Sequence, residues 1–404
     1  MNRFIYLELK KIRNKNNLAI CVLFFIIILV PLFYYARVDV LDDKGNVHSG
    51  IGGWSILQER TAPVEGVMTT EYLFKMREHY QNSVDKAFIE GEVDTERNLG
   101  VKLEFPQNQL HWTVNFPYHR GRTTANNDFN LTDEQITNFY ENWGNSFYDH
   151  LSDEINYFPY TKHQNELISE KMKSVQTPFT FKYNMGWQFL KIDLSWTLYI
   201  FFIFLSFVLS DSFSKDNIKG IDQIILSTKE SRRKLINYKV RAACITSTFA
   251  YLVYAGMILI FIAIVYSFHG WDIPLQIGAK CFYSLNLLQE GIIYILMGYF
   301  AAIVITYCIL FLSLLLKRGR VVLAISIIYF CNVETYKMGT GEIIEKVNIF
   351  MPQNFVEGLL DIENLFFVED MILPYVVIAL GLGLLYISFF KIAMKLLMKN
   401  YYLQ

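Results

Sequence analysis

Long apolar runs separated by polar segments are the dominant pattern in this chain of 404 residues. Residues 18–35 hold no charged side chain, and their length is close to the roughly 20 residues that a helix needs to cross a bilayer. Comparable runs follow at 194–209, 242–268, 291–316 and 371–390. The pattern therefore predicts five membrane-spanning helices.

A further apolar run at 321–333 is shorter, with thirteen residues. As a helix it covers only about 20 Å, so it either extends past Glu334 and Lys337 or enters the membrane partway and breaks. The stretch that follows contains Pro352 and little polar character, and we interpret it as a second half-helix that returns to the outer side. This region brings the expected number of spans to six.

Basic residues concentrate in four short segments. These segments hold 19 of the 37 Lys and Arg residues, and they are 1–17, 211–241, 317–320 and the tail from Lys391. The positive-inside rule assigns such segments to the cytoplasm. We therefore predict an all-α polytopic membrane protein with six transmembrane helices and both termini cytoplasmic.

The first basic segment, residues 1–17, has helical spacing of its apolar residues Ile5, Leu9 and Ile12. This spacing predicts a basic amphipathic elbow helix on the inner membrane face. An ordinary positively charged flank of span 1 (18–36) is an equally good interpretation.

The largest polar region, 37–191, is long enough for one domain and follows span 1, so we expect an extracytoplasmic domain of α+β or mainly helical fold. Helices are predicted over 69–89 and 131–155, the latter from the start signal at Thr132, and two strands within 100–116. The tryptophans of this region are expected in its core. The five cysteines of the chain avoid it, which predicts no disulfide framework.

Hydrophobic residues make up 53% of the chain, and its mean hydropathy of +0.24 excludes an ordinary soluble protein. The sequence has no phosphate-binding loop, no H-E-x-x-H motif and no G-x-S-x-G nucleophile turn. We therefore expect no enzyme activity and no catalytic, cofactor-binding or metal-binding residue. His111 and His119 are close in sequence, but no second group of ligands supports a metal site.

The predicted spans carry no charged residue away from their ends. Asp193, Glu290 and Asp370 are expected at the outer edges of helices. Ion-coupled carriers usually need an ionisable group within the membrane, so this pattern argues against a proton-driven or sodium-driven pump.

The 211–241 segment, between spans 2 and 3, carries eight Lys and Arg residues against four Asp and Glu. An apolar set lies within it at helical spacing, consisting of Ile218, Ile221, Ile224 and Ile225. A basic segment with a short amphipathic helix is suited to bind a soluble partner.

Two local stretches carry a resemblance to a known family. Residues 219–228 read KGIDQIILST and are followed by Ser231-Arg232-Arg233 and Lys239, and residues 350–355 read FMPQNF. With the six predicted spans and the insert after span 1, they resemble permease subunits of the ABC-2 type exporter family. That group includes sodium-extrusion and antimicrobial-peptide immunity permeases. The family's usual Glu before the glycine is missing, and Asp216 is the nearest acid.

The resemblance implies a coupling helix near 220–228 that docks in a groove of a separate ABC ATPase. The implied ATPase-docking residues are Gly220, Ile221, Asp222, Ile224, Ile225, Leu226, Ser227, Thr228, Arg232 and Arg233. Two permeases, identical or related, would pair with two ATPases, which would carry ATP and Mg²⁺. The alternatives are a helix on the membrane surface for the isoleucines and a plain positive-inside signal for the arginines.

We therefore expect the permease subunit of an ATP-driven ABC exporter in the bacterial cell membrane. Its cargo would be amphipathic or lipid-like, such as a peptide antibiotic, a secreted peptide or a drug. Membrane lipid would be a further partner, and no nucleic acid is expected to bind. The alternative is a membrane sensor or immunity receptor whose external domain binds a peptide. A lipid-modifying enzyme is disfavoured because the spans hold no cluster of acid, base and nucleophile.

Overall fold

The computed structural model describes residues 3–13, 15–42, 44, 46–78, 113–114, 131–145, 160–218, 231–279, 281–336 and 348–400. Its helices are α1 (Arg3–Ile12), α2 (Lys15–Tyr35), α3 (Ile51–Thr61), α4 (Asp133–Thr137), α5 (Lys162–Lys173), α6 (Met185–Leu209), α7 (Asp211–Ile218), α8 (Ser231–Val265), α9 (Leu287–Leu316), α10 (Gly319–Tyr336) and α11 (Tyr375–Asn400). Its strands are β1 (Asp39–Leu41), β2 (Val47–Ser49), β3 (Gly66–Val67), β4 (Thr180–Phe181), β5 (Phe366–Val368) and β6 (Met371–Leu373). The strands pair as three antiparallel two-stranded sheets, β1–β2, β3–β4 and β5–β6.

Five of the described helices are long and apolar enough to cross a membrane. They are α2, α6 with α7, α8, α9 and α11, and together they confirm a membrane-embedded, multi-pass, mostly helical chain. The five long runs of the sequence are therefore correctly identified. The sixth expected span corresponds to α10, whose apolar part covers only Gly319–Phe330.

Helix α6 occupies the centre of the bundle and packs against α2, α8, α9 and α10. Most of its span is buried, whereas α2 and α11 expose most of theirs. Aromatic rings fill the contacts, and Phe201 on α6 stacks on Tyr254 of α8 with ring centroids 4.8 Å apart. Helix α6 is therefore the most buried of the candidate spans, and α2 and α11 lie at the periphery of the bundle.

Hydroxyl groups join α8 to α9. Ser247 Oγ and Thr306 Oγ1 are 2.7 Å apart, and Tyr251 donates to the carbonyl oxygen of Ile295 at 2.7 Å. Between helices in an apolar medium, hydroxyl bonds and close packing replace the hydrophobic driving force. These hydroxyls therefore contribute to helix packing.

The span boundaries differ from those predicted, mainly at α6. This helix begins at Met185, nine residues before the expected start at Leu194, because the apolar run continues past a polar interruption. Asp193 therefore lies inside α6 and is only 2% exposed, not at the edge of a helix. Asp370 lies in the turn between β5 and β6, also not on a helix edge. The expectation that no charged residue lies within a span is wrong at Asp193.

The expected half-helix after α10 is also wrong. The chain from 351 to 360 forms turns and one short 3₁₀ turn, Pro352–Asn354. Tyrosines hold this irregular backbone, since Tyr375 donates to the Ile349 carbonyl and Tyr199 to Asn354 Oδ1 at 2.6 Å. Buried backbone without regular structure needs such bonds.

The insert after α2 is described in part and has both helices and small sheets. Thr132 caps α4 as predicted, and its side chain and that of Gln135 form a capping box. The helix breaks at Asn138 and resumes over 139–145. Of the helix predicted over 69–89, residues 70–78 are described as helical.

The two strands expected in 100–116 fall almost wholly outside the described residues. The two residues described there, Thr113 and Val114, are helical, which contradicts a strand at that point. The described tryptophans of this region, Trp54, Trp143 and Trp187, are buried. Trp143 packs on Phe179 of the insert, whereas Trp187 lies in α6 and Trp54 packs on Phe189 of α6 and on Tyr266, so two of the three pack with the bundle.

The insert is bonded to the helix bundle at two places. Tyr160 donates to the Ile362 carbonyl at 2.7 Å, and His163, in the first turn of α5, pairs with Asp370 at 2.9 Å. On the other side, Glu65 accepts from the Tyr183 amide at 2.9 Å and lies 3.0 Å from His269. We call this end of the bundle the insert end, and the opposite end, where α1 packs on the start of α8, the α1 end.

A glycine at the α6–α8 contact provides a test of this packing. A Cβ at Gly186 would overlap the Ser267 carbonyl oxygen, a backbone atom that cannot rotate away. We expect Gly186→Ala to cost about 1–3 kcal/mol of stability and to lower the thermal unfolding temperature of the purified chain. Gly256→Ala is the control, because nothing lies within 4 Å of a Cβ there. Equal effects of the two variants would contradict the packing.

The His163–Asp370 pair predicts a pH dependence. The hydrogen bond that His163 donates to the Asp370 carboxylate raises the pKa of His163 above its ordinary value. The stabilising contribution of the His163–Asp370 pair is therefore complete below the pKa of His163 in the unfolded chain. It is lost as the pH rises through the pKa of His163 in the folded chain. We expect His163→Ala to lower the unfolding temperature slightly at pH 5.5 and not at pH 8.5. A loss of the same size at both pH values would contradict this assignment.

Candidate functional site

The candidate site is the 211–241 segment at the α1 end. Most of the implied docking residues, 220–228, lie outside the described residues. Arg232 and Arg233 belong to the first turn of α8, which begins at Ser231. The structure therefore shows the two helices that flank residues 219–230 in sequence, α7 before them and α8 after them.

The first end, α7, is fixed to α9 and α10. Ser313 of α9 donates to the Ser210 carbonyl at 2.6 Å and accepts from the Phe213 amide at 3.1 Å, so one hydroxyl bridges the α6–α7 junction. A Cβ at Gly319, the first residue of α10, would overlap Asp211 Oδ1. Helix α10 therefore approaches α7 closely at this position, although the Asp211 side chain can rotate away from a larger residue.

The second end, the start of α8, is fixed through Lys239. Its side chain is 2% exposed, and its ammonium donates to the Ser212 carbonyl at 2.5 Å and to Glu8 Oε2 at 3.2 Å. The ammonium also lies 5.2 Å from the centre of the Phe213 ring. A buried charge is tolerated when it has such partners. Lys239 therefore joins α8, α7 and α1 at one point.

Helix α1 packs along the start of α8. Its Phe4 ring stacks on Tyr238 at 5.3 Å, and Ile5 is buried. Glu8 binds two lysines, Lys239 and Lys11, with the second at 2.8 Å. A helix is therefore present within residues 1–17, and it packs on α8 beside the 211–241 segment.

A small cavity of about 50 Å³ lies where these elements meet. Its lining combines charged with apolar side chains and consists of Glu8, Lys11, Ile12, Asn17, Phe207, Val208, Asp211, Ser212, Lys215 and Lys239. The site offers ion pairs and hydrogen bonds that can hold helices together. It offers no arrangement of nucleophile and base among the described residues.

Metal binding finds no support in the described part of the chain, which has no group of three or more His, Cys, Asp or Glu side chains placed to hold an ion. His111 and His119 lie outside the described residues.

The role of Glu8 is the main feature that the sequence analysis did not assign. Glu8 is the only acid in a strongly basic segment, and this isolation is the signal that could have identified a specific partner. In the sequence, Lys239 stands out only because it follows the family-like stretch at 219–228. Its burial follows from the helix geometry, which turns this position of α8 toward α7 and α1.

Removal of Glu8 should release α1. Glu8→Ala leaves the Lys239 ammonium buried with one partner fewer, a loss of about 1.5–3 kcal/mol for a bond to a charged group. We expect faster amide hydrogen exchange across Arg3–Ile12, measured by mass spectrometry on the purified chain. Glu59→Ala, at an exposed acid of α3, is the matched control. Unchanged exchange in Glu8→Ala would show that the ion pair does not hold α1.

Comparisons with known proteins identify no relative. No protein-family model, no curated protein and no solved structure matches this chain. The resemblance to ABC-2 permeases therefore rests on the residues at 219–228 and 350–355 and on the order of the spans, and membership of that family stays a prediction.

Proposed function

We propose that this chain is the permease subunit of an ATP-driven ABC-2 type exporter in a bacterial cell membrane. In this proposal α10 serves as the fifth of six spans and both termini lie in the cytoplasm. A separate ABC ATPase binds the 211–241 segment, and a second permease copy or a paralogue completes the transporter.

The gathering of basic segments at one end of the bundle supports the orientation. The α9–α10 turn carries Lys317 and Arg318, and α1 carries Lys10 and Lys11. The C-terminal part of α11, which carries Lys391, lies beside the end of α9, because the rings of Phe311 and Phe390 are 5.4 Å apart. Basic residues on one side of the membrane favour a cytoplasmic position for that side.

The framework around the docking segment is the single observation that carries the proposal. Its first end is bonded to α9 and packs on α10, and its second end is bonded to α1 through Lys239. A force applied to residues 219–230 would therefore act on α9, α10 and α1. A flexible loop on the membrane surface would need no such framework.

The isoleucines of the segment supply the expected contact with the ATPase. Ile221, Ile224 and Ile225 repeat at helical spacing, and burial in a groove would contribute about 1.5–3 kcal/mol for each side chain. The basic residues beside them are suited to acidic groups of the partner.

The side-chain types of the spans support the proposed cargo class. Aromatic and hydroxyl side chains dominate the contacts among α6, α8 and α9. Such surfaces suit an amphipathic or lipid-like molecule better than a highly charged one.

The test is co-purification of the tagged chain with the ABC ATPase encoded beside its gene. We expect the double variant Ile221→Asp/Ile224→Asp to reduce the recovered ATPase at least tenfold, because burial of two carboxylates opposes docking. Amounts of the chain in the membrane should stay unchanged.

Ile51→Asp is the matched control, since this isoleucine is 54% exposed and lies at the insert end. It should leave the complex intact. Survival of the complex in the double variant would locate docking elsewhere, and the lack of any neighbouring ATPase gene would favour the sensor alternative.

A further inference from the structure

The cavity at the α1 end is not used by the proposed docking of an ATPase. It lies among α1, α2, α6, α7 and α8 and has a volume of about 50 Å³. One water molecule needs roughly 10–15 Å³ of such space, so the cavity accommodates a group of about four oxygen atoms, which is the size of a phosphate. Two lysines of its wall, Lys11 and Lys215, are half-exposed, so the cavity is accessible from outside.

The lining of the cavity carries an excess of positive charge. Glu8 pairs with Lys11 at 2.8 Å and also with Lys239 at 3.2 Å. Asp211 pairs with Lys215 at 3.6 Å. Three ammonium groups therefore meet two carboxylates, and the excess lies at Glu8, where one carboxylate serves two lysines. An anion from outside the chain would balance it.

Two buried groups distinguish this cavity from a surface patch of lysines. Lys239 is 2% exposed, so solvent screens its charge little. Ser212 also lines the cavity, and its Oγ atom is buried with no hydrogen-bond partner among the described residues. A buried hydroxyl left in this way calls for a partner, and an anionic oxygen is a strong acceptor.

The position of the cavity along the spans favours a lipid as the source of the anion. Asn17 begins the candidate span Asn17–Tyr35, and Phe207 and Val208 lie in the last turn of α6. The cavity is therefore at the level where a bilayer places its headgroups. Phe207 is partly exposed and provides apolar surface beside the charges.

Helix α1 also has the character of a helix at a membrane surface. Tyr6 and Leu7 are exposed, whereas Ile5 is buried. Lys10 and Lys11 follow in the last turn of the helix. Exposed apolar side chains beside basic ones are typical of helices that lie at the interface between headgroups and acyl chains.

We propose that this cavity binds the headgroup phosphate of an anionic phospholipid such as phosphatidylglycerol. The single negative charge of the phosphodiester balances the excess positive charge of the lining. Lys11, Lys239 and the Ser212 hydroxyl bind the phosphate oxygens, and the acyl chains lie against Phe207. Basic pockets between membrane helices recognise anionic headgroups in this way. A zwitterionic headgroup brings a positive charge of its own and fits less well beside three lysines.

The bound headgroup joins three helices through one anion. Lys11 belongs to α1, Ser212 to α7 and Lys239 to α8. The lipid therefore stabilises the packing of α1 and α7 on the start of α8. Binding is independent of the ATPase, and only the assignment of the lipid to the inner leaflet rests on the proposed orientation.

The test is the thermal unfolding temperature of the purified, delipidated full chain in a neutral detergent. Phosphatidylglycerol, phosphatidylcholine and diacylglycerol with the same acyl chains are added as mixed micelles, and inorganic phosphate is added at the same concentrations and ionic strength. Binding to the folded state alone raises stability with ligand concentration. We expect phosphatidylglycerol to raise the unfolding temperature by several degrees in a saturable manner, and the other three to have little effect.

Two variants locate the binding in this cavity. Ser212→Ala removes the buried hydroxyl and should raise the half-saturating concentration of phosphatidylglycerol roughly five- to tenfold, as expected for one hydrogen bond to a charged group. Lys11→Gln leaves Glu8 with Lys239 alone, so it removes the excess charge and should weaken binding at least as much. Lys171→Gln, at an exposed lysine of α5, is the matched control and should retain the full response.

An unchanged response in both Ser212→Ala and Lys11→Gln would overturn the site. An equal response to inorganic phosphate would identify free phosphate as the ligand and overturn the lipid. An equal response to phosphatidylcholine or diacylglycerol would overturn recognition of an anionic headgroup. The ATPase is absent from these measurements, so the docking proposal and this one fail separately.

Discussion

The burial of α6 among four other helices is the constraint on which the rest of the fold depends. In an apolar medium, each polar group of a central helix must find its partner within the chain. Thr197 does so with Tyr254, Lys191 with Glu290, and the carbonyl of Ser210 at the end of the helix with Ser313. Helices α8 and α9 are positioned by these bonds as much as by the aromatic rings between them.

Buried ionisable side chains at the two ends of the bundle differ in their hydrogen-bond partners. At the α1 end, the buried charge of Lys239 has two oxygen partners, from Glu8 and Ser212. At the insert end, the Oδ2 atom of the buried Asp193 has no hydrogen-bond partner among the described residues. The bonds of Lys239 hold α1 and α7 to the start of α8.

The sequence predicts the spans well and the site only in part. Residues 18–35 correspond closely to Lys15–Tyr35, because a long run without charge has one physical explanation. The start of α6 was missed because Lys191 and Asp193 interrupt the run, and single-sequence hydropathy cannot show that one binds Glu290 and the other is buried. Pairing between residues distant in sequence is a property of the fold.

The same limit applies to residues 348–360 and to Glu8. An apolar stretch with a proline is compatible with a broken helix or with buried turns. The turns form here because Tyr375 and Tyr199, which are distant in sequence, hydrogen-bond to them. Glu8 is the only acidic residue in the basic segment 1–17, but its partner Lys239 lies 231 residues later in the sequence. Both tyrosines and Lys239 belong to long helices whose direction the hydropathy does predict. The bundle places α6 and α11 parallel to each other and α8 antiparallel to both, and this arrangement brings Tyr199, Tyr375 and Lys239 to their partners. The bundle therefore determines where the irregular segments and α1 can bind.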